Sequence, residues 1–209
     1  MDRPAGGTKD SDDRTQKSVL KMLALGGEGS VIERLQALHI VPLSISYQFD
    51  PCDYLKAAEF QSKRDDPNWH KGPMDDVISM RTGIIGFKGH IHYHAASCID
   101  DYLETLKDQK MSNNDLLEHV ATYIDHQIHL NYQLYPENYI ALDELRGTHD
   151  YADHYDDHTR DVFNHYLSRH LHKIELPNPD EAFLRERLLT MYANPAINYI
   201  KAHEEEKKG

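Results

Sequence analysis

Residues 40–49 read IVPLSISYQF, an apolar and β-branched run bounded by His39 and Asp50. Such a run predicts a strand, buried on both faces where it begins, and Pro42 near its start marks an edge or entry position. Upstream, Val19, Leu20, Leu23 and Leu25 recur at helical spacing from an N-cap at Asp12 or Asp13 until Gly26 and Gly27 stop the pattern. A second short helix follows Gly29 and Ser30, with Val31, Ile32, Leu35 and Leu38 on one side. Downstream, Asp50 as N-cap and Pro51 at the first helical position start a helix in DPCDYLKAAEFQSKRDD. GPMDDVISMRTGIIGF gives another helix ending near Gly83 or Gly86, and FKGHIHYHAA alternates as a second strand. The order α-α-β-α-α-β implies an α/β layer.

After Cys98 the pattern is helical only, over residues 100–110, 113–130, 151–173 and 180–206, with Pro177 and Pro179 between the last two. The fold class expected is therefore α/β, a partial mixed sheet followed by a mostly α-helical C-terminal half. With 209 residues, a net charge of -12 and a pI near 5.6, the chain lacks the basic surface that nucleic acid or anionic lipid would require in general. No run approaches the roughly 18 apolar residues of a membrane span, and no signal peptide opens the chain. Cys52 and Cys98 have neither zinc-ribbon nor disulfide-framework spacing, so a reducing cytoplasm is expected.

Two long stretches carry a more specific message: GGTKDSDDRTQKSVLKML at residues 6–23 and LHIVPLSISYQFDPCDYLKAAEFQ at residues 38–61. In this order they resemble the phospholipid/glycerol acyltransferases, of the 1-acylglycerol-3-phosphate or glycerol-3-phosphate type, and within them a Bacteroidetes-type branch with a K-D-x-x-D-R-T-Q loop. The resemblance runs from Gly7 to about Lys88. It implies that residues 1–98 are the C-terminal part of an acyltransferase-like α/β domain and that residues 99–209 are a helical extension packed on it. It also implies transfer of a fatty acyl group from an acyl carrier protein or coenzyme A thioester to a glycerol-phosphate-type acceptor, in phospholipid synthesis. The reaction calls for no cofactor and no metal. The place implied is the cytoplasm, with a peripheral contact at the inner face of the membrane.

The family's phosphate-holding block, roughly Glu-Gly-Thr-Arg, falls on Gly6, Gly7, Thr8 and Lys9, and its apolar strand block falls on Ile40, Val41, Pro42, Leu43 and Ser44. Substrate binding is thus expected at Gly7, Thr8, Lys9, Arg14 and Pro42. Gly6 stands where the family has glutamate, and Lys9 where it has arginine. The family's His-x-x-x-x-Asp block lies ahead of this loop, and no such block precedes it here. An acceptor hydroxyl needs a histidine held by a carboxylate to take its proton as it attacks the thioester. The resemblance therefore implies a truncated member with no catalytic base of its own, so that enzymatic activity stays open. His70 and Asp75 have the right mutual spacing but follow the strand block instead of preceding the loop.

Without the family, Lys9 and Arg14 flank Asp10, Asp12 and Asp13 before a helix start. That arrangement fits either an anion site or a solvated, capped helix. The 15 histidines supply the rival reading. His90, His92 and His94 alternate along a strand, and His154, His158, Asp161 and His165 would share one helix face, as ligands of a metal-binding helical protein or a metal-dependent hydrolase. His149 and Asp150 form the His-Asp dipeptide of metal-dependent phosphohydrolases. The plainer alternative is a wet polar face opposite Tyr151, Tyr155, Val162, Phe163, Tyr166 and Leu167. Leu116, Leu117, Val120, Tyr123, Ile124 and Leu130 read as core rather than as an acyl channel.

Overall fold

Ser44 and Ser46 alternate with Leu43, Ile45 and Tyr47, and the serines are the buried set. This alternation makes strand β1 (Leu43–Tyr47), which pairs antiparallel with β2 (Ile91–Ala95) in the register Leu43↔Ala95 to Tyr47↔Ile91. The computed structural model describes residues 10–208, and among them this two-stranded ribbon is the whole sheet. The expected order is present: α1 (Lys17–Leu23), α2 (Val31–Gln36), β1, α3 (Asp53–Asp65), α4 (Asp75–Ile85), β2. Five further helices follow: α5 (Asp100–Leu106), α6 (Asn113–Leu130), α7 (Pro136–Arg146), α8 (Asp157–Leu171) and α9 (Glu181–Glu206). The protein is of mixed α/β class and mainly helical.

β1 departs from the expectation that it is buried on both faces. The serine face lies against α6, where Ser44 Oγ donates to the Ile128 carbonyl at 2.8 Å and Ser46 Oγ accepts from the Gln133 N–H at 3.0 Å. Each buried hydroxyl is thereby satisfied, so a polar face can pack inward. The apolar residues face outward instead: Leu43 is 47% exposed, Ile45 40%, Tyr93 60%. Helix α4 behaves likewise, with no buried residue and Val77, Ile78, Met80, Ile84 and Ile85 exposed, followed by Phe87.

Two apolar clusters hold the molecule. One gathers Leu20, Leu35, Ile99, Leu103, Leu117, Val120 and Ile124 from α1, α2, α5, α6 and the residue before α5. The other centres on α7, α8 and α9 and takes in Phe49 and Ala57. Helix α9 packs against α3, α6, α7 and α8, and small residues at the contacts (Ala57, Ala141, Ala193 and Ala196, all 0% exposed) let the helices close. Both clusters draw residues from before and after Cys98.

Inside the second cluster sits a charged group, Asp53, with 0% exposure. Its Oδ2 accepts from the Tyr192 hydroxyl at 2.8 Å and the Tyr166 hydroxyl at 3.1 Å, while Oδ1 accepts from His170 Nδ1. Lys173 Nζ, which has only hydrogens to offer, lies 3.0 Å from His170 Nε2. Nε2 therefore accepts, and Nδ1 is the nitrogen that carries the hydrogen toward Asp53. One carboxylate thus joins α3, α8 and α9.

Three helix readings are corrected. Asp12 and Asp13 do not cap α1; the N-cap is Gln16, because the Asp13 carboxylate is taken by Tyr132 instead. The segment expected as one helix over 151–173 is a 3-10 turn (Ala152–His154) and then α8. Buried Asp143 accounts for the break: it accepts from the Tyr151 N–H, the Tyr155 hydroxyl and Thr148 Oγ1, which wraps the chain around the end of α7. α8 then starts afresh with Asp156 as its cap, accepting from the Thr159 N–H. α7 itself was not anticipated, although Pro136 at its start and Gly147 in the left-handed conformation at its end are ordinary boundary signals. No helix among the described residues is long and apolar enough to cross a membrane.

Replacing Asp53 by alanine leaves His170 Nδ1–H without an acceptor in the interior, and leaves the Tyr166 and Tyr192 hydroxyls only the Asp50 carbonyl and each other. At about 1–3 kcal/mol for the unsatisfied group, with the charged bonds to both hydroxyls lost besides, the expected loss is ~3 kcal/mol or more. Ile84, 74% exposed, should cost within about 0.5 kcal/mol when changed to alanine. Urea denaturation of the two variants checks the contrast, and equal losses would refute this account of what holds the helices together.

Candidate functional site

A concavity of about 480 Å³ opens between the loop before α1, strand β1, the start of α3, the end of α6 and the middle of α9. Its position follows from how α9 treats the loop. Pro195, inside α9, has no N–H to give the Met191 carbonyl, and on either side of it two asparagines reach outward. Asn194 Nδ2 donates to the Asp10 carbonyl at 2.7 Å and Asn198 Nδ2 to Asp12 Oδ1 at 3.2 Å. From the other side, Asp125 Oδ1 accepts from the Thr15 N–H at 2.5 Å, His129 Nε2 meets the Asp13 carbonyl at 2.9 Å, and the Tyr132 hydroxyl donates to Asp13 Oδ2 at 2.6 Å. The loop is pinned at Asp10, Asp12, Asp13 and Thr15 by α6, the residues after it and α9.

One wall of the cleft is apolar, formed by Leu43, Ile45 and Tyr47 of β1 with Ile128 and Met191. The other is polar and carries two cations. Arg14, its side chain 52% exposed, pairs with Asp12 at 2.8 Å; Lys56 of α3 pairs with Asp50 Oδ2 at 2.6 Å. Asp50 ties the cleft to the buried Asp53 cluster, because its N–H donates to the Tyr192 hydroxyl at 3.1 Å. Burial pushes the Asp13 carboxyl above its usual range, against the opposing effect of the Tyr132 hydroxyl bond. The Tyr132 hydroxyl is itself driven far up, by burial first and then by the Asp13 charge.

Of the residues expected to bind substrate, Gly7, Thr8 and Lys9 lie outside the described residues. Arg14 lines the cleft. Pro42 does not: it is buried one residue ahead of β1, and its carbonyl accepts from the Ala96 N–H at 2.9 Å. Lys56 sits within the second quoted stretch but was not singled out, and Asp125, Tyr132, Gln133, Asn138 and Tyr192 come from helices and turns that no local motif marks. No histidine is among the residues that line the cleft. His70 and Asp75 are both exposed and line no part of it.

The histidine-rich segments do not assemble. His154 stacks on Tyr139 at 4.0 Å in the 3-10 turn, off the helix that carries His158, Asp161 and His165, and all four are exposed. His165 Nδ1 lies 2.8 Å from the carbonyl of Asp161 in its own helix, and His149 and Asp150 are exposed in a turn. The rings of His92 and His94 stack loosely at 6.5 Å, and His90 precedes β2 beside Tyr135.

A raised carboxyl has a defined signature. Folding costs the ionised form of Asp13 more than the protonated form, so the cost is full above its native pKa, falls as pH drops through that pKa, and is gone below the ordinary 3.8. Asp13→Asn keeps an oxygen for the Tyr132 hydroxyl and removes the buried charge. Its melting temperature should exceed the parent's at neutral pH, and the gap should close as the buffer approaches pH ~4. A variant that melts lower at neutral pH would contradict the assignment.

Comparison with known proteins adds no relative: no family model, no curated protein and no solved structure matches this chain.

Proposed function

We propose that the chain is the acceptor-binding part of an acyltransferase of glycerolipid synthesis. The reaction moves a fatty acyl group from a carrier protein or coenzyme A thioester to a glycerol-phosphate-type acceptor. One observation carries the reading: the loop at residues 10–15, strand β1 and the start of α3 belong to the two stretches on which the resemblance rests, and all three line the same cleft. The lining has the two characters such an acceptor needs. Arg14 and Lys56 are placed for a phosphate, which would exchange with the carboxylates they now hold, and the β1 wall is placed for an acyl chain.

The acceptor hydroxyl attacks the thioester carbonyl; a C–O bond forms, the C–S bond breaks, and the hydroxyl proton must pass to a base before the thiolate leaves with a proton. With no histidine in the cleft lining, this reading puts the base on a segment outside the 209 residues, held by the family's His-x-x-x-x-Asp block. The bare apolar side of α4 supports that arrangement, since it is a surface of the kind a partner helix layer would cover. On this reading, such a segment completes the sheet that the β1–β2 ribbon begins.

The test uses the purified chain and two ligands, a short-chain 1-acylglycerol 3-phosphate and the same acylglycerol without phosphate, followed by calorimetry. Binding should depend on the phosphate, and Lys56→Ala and Arg14→Ala should each weaken it about tenfold, the equivalent of ~1.4 kcal/mol. Turnover of an acyl thioester should appear when a segment bearing the His-x-x-x-x-Asp block is joined ahead of the loop. Equal affinity for both ligands, or no effect of either substitution, would overturn the proposal.

A further inference from the structure

His39, in the turn three residues beyond helix α2, stands in a conformation that few side chains adopt. Its φ is 47°, the left-handed region in which a helix is ordinarily closed by glycine or asparagine. A histidine there is held at a cost of order 1 kcal/mol or more. The chain then runs into β1 beside the segment that leaves β2, and two backbone hydrogen bonds lock the passage: Ala96 N–H to the Pro42 carbonyl at 2.9 Å and Ile99 N–H to the Ile40 carbonyl at 3.0 Å. This crossing sets His39 against Cys98 and Asp100.

The three side chains present a nitrogen, a sulfur and an oxygen within 4.8 Å of one another, the one group of three or more metal-ligating side chains so placed among the described residues. His39 Nδ1 lies 2.6 Å from Asp100 Oδ2. The other carboxylate oxygen, Oδ1, is closed to solvent and accepts no hydrogen bond. His39 is 77% exposed along its side chain, which leaves a way in from solvent. None of the three residues lines the cleft described above.

We propose that His39, Cys98 and Asp100 form a zinc site with three protein ligands and a fourth position open to water. The donor set selects the ion: magnesium and calcium take oxygen ligands, whereas Zn2+ accepts thiolate, imidazole and carboxylate together in a tetrahedron. On binding, the Cys98 thiol loses its proton to solvent and the His39 ring keeps one hydrogen on the nitrogen that does not face the ion. The close His39–Asp100 contact opens modestly, since two N or O ligands on a tetrahedral zinc stand ~3.3 Å apart. The bound ion clamps the exit of α2 to the entry of α5 at the open end of the ribbon, and so stabilises the folded chain by mass action.

The experiment is a titration of the reduced, metal-free chain with Co2+, read by thiolate-to-cobalt charge-transfer absorption, then competition with Zn2+. One equivalent should produce the band in the parent chain and in Cys52→Ser, whose native cysteine is buried against Ser79, and the band should be absent in Cys98→Ser. His39→Asn, chosen because asparagine tolerates the left-handed backbone, should weaken Zn2+ about tenfold or more. Unchanged circular dichroism of the metal-free variants separates lost ligands from lost fold. A parent chain without the band at one equivalent, or a band that survives Cys98→Ser, overturns the site.

Discussion

Everything around the cleft depends on a buried carboxylate having enough donors. Asp53 is fully enclosed, and an ion in that position is tolerated only because Tyr166, Tyr192 and His170 all point hydrogens at it. Those donors come from two helices more than a hundred residues further along the chain. The arrangement fixes the rotation of α8 and α9 about their own axes, which an apolar contact of similar area would leave freer. With α9 so oriented, Asn194 and Asn198 necessarily face the loop at residues 10–13, and Tyr192 faces Asp50.

The same helix solves a second problem. A loop carrying three aspartates is self-repelling, yet each carboxylate is given something definite: Asp10 the Asp12 N–H, Asp12 a pair with Arg14 and a bond from Asn198, Asp13 the Tyr132 hydroxyl. The cations of the cleft are therefore neutralised in the resting protein by carboxylates at its rim. An arriving dianion would have to displace them, which suits selectivity for doubly charged phosphate over weaker anions.

Local chemistry made the first half of the chain legible. Pro51, Gly26, Gly27 and Gly86 punctuate it, and the order of its six elements follows from that punctuation. What local pattern does not encode is which side of an element has a neighbour. The run Leu43–Tyr47 shows the alternation of a strand, but its serines turn inward because Ile128 and Gln133 offer them partners, and those partners lie some 84 and 87 residues away. Similarly, the histidine pattern from His154 onward breaks because Asp143, on a different helix, collects Tyr151 and Tyr155. Arg14 was expected at the loop through the resemblance, and it does line the cleft. Tyr132, Asn138 and Tyr192 could not be placed from sequence, and neither could the meeting of His39 with Cys98 and Asp100, which is created by a chain crossing and by no spacing.

The clamp between Asn194 and the Asp10 carbonyl spans 184 residues, and this has a consequence for synthesis on the ribosome. At roughly 5–20 residues per second, the loop leaves the tunnel some 10–40 s before the turn of α9 that will hold it. In the first part of that interval the amino-terminal cluster has α1 and α2 in hand but no Val120 or Ile124 to close on, and the later helices arrive before Tyr192. The cleft is thus among the last of these features to form, and a nascent chain stalled before α9 has the loop, β1 and α6 in hand but no site.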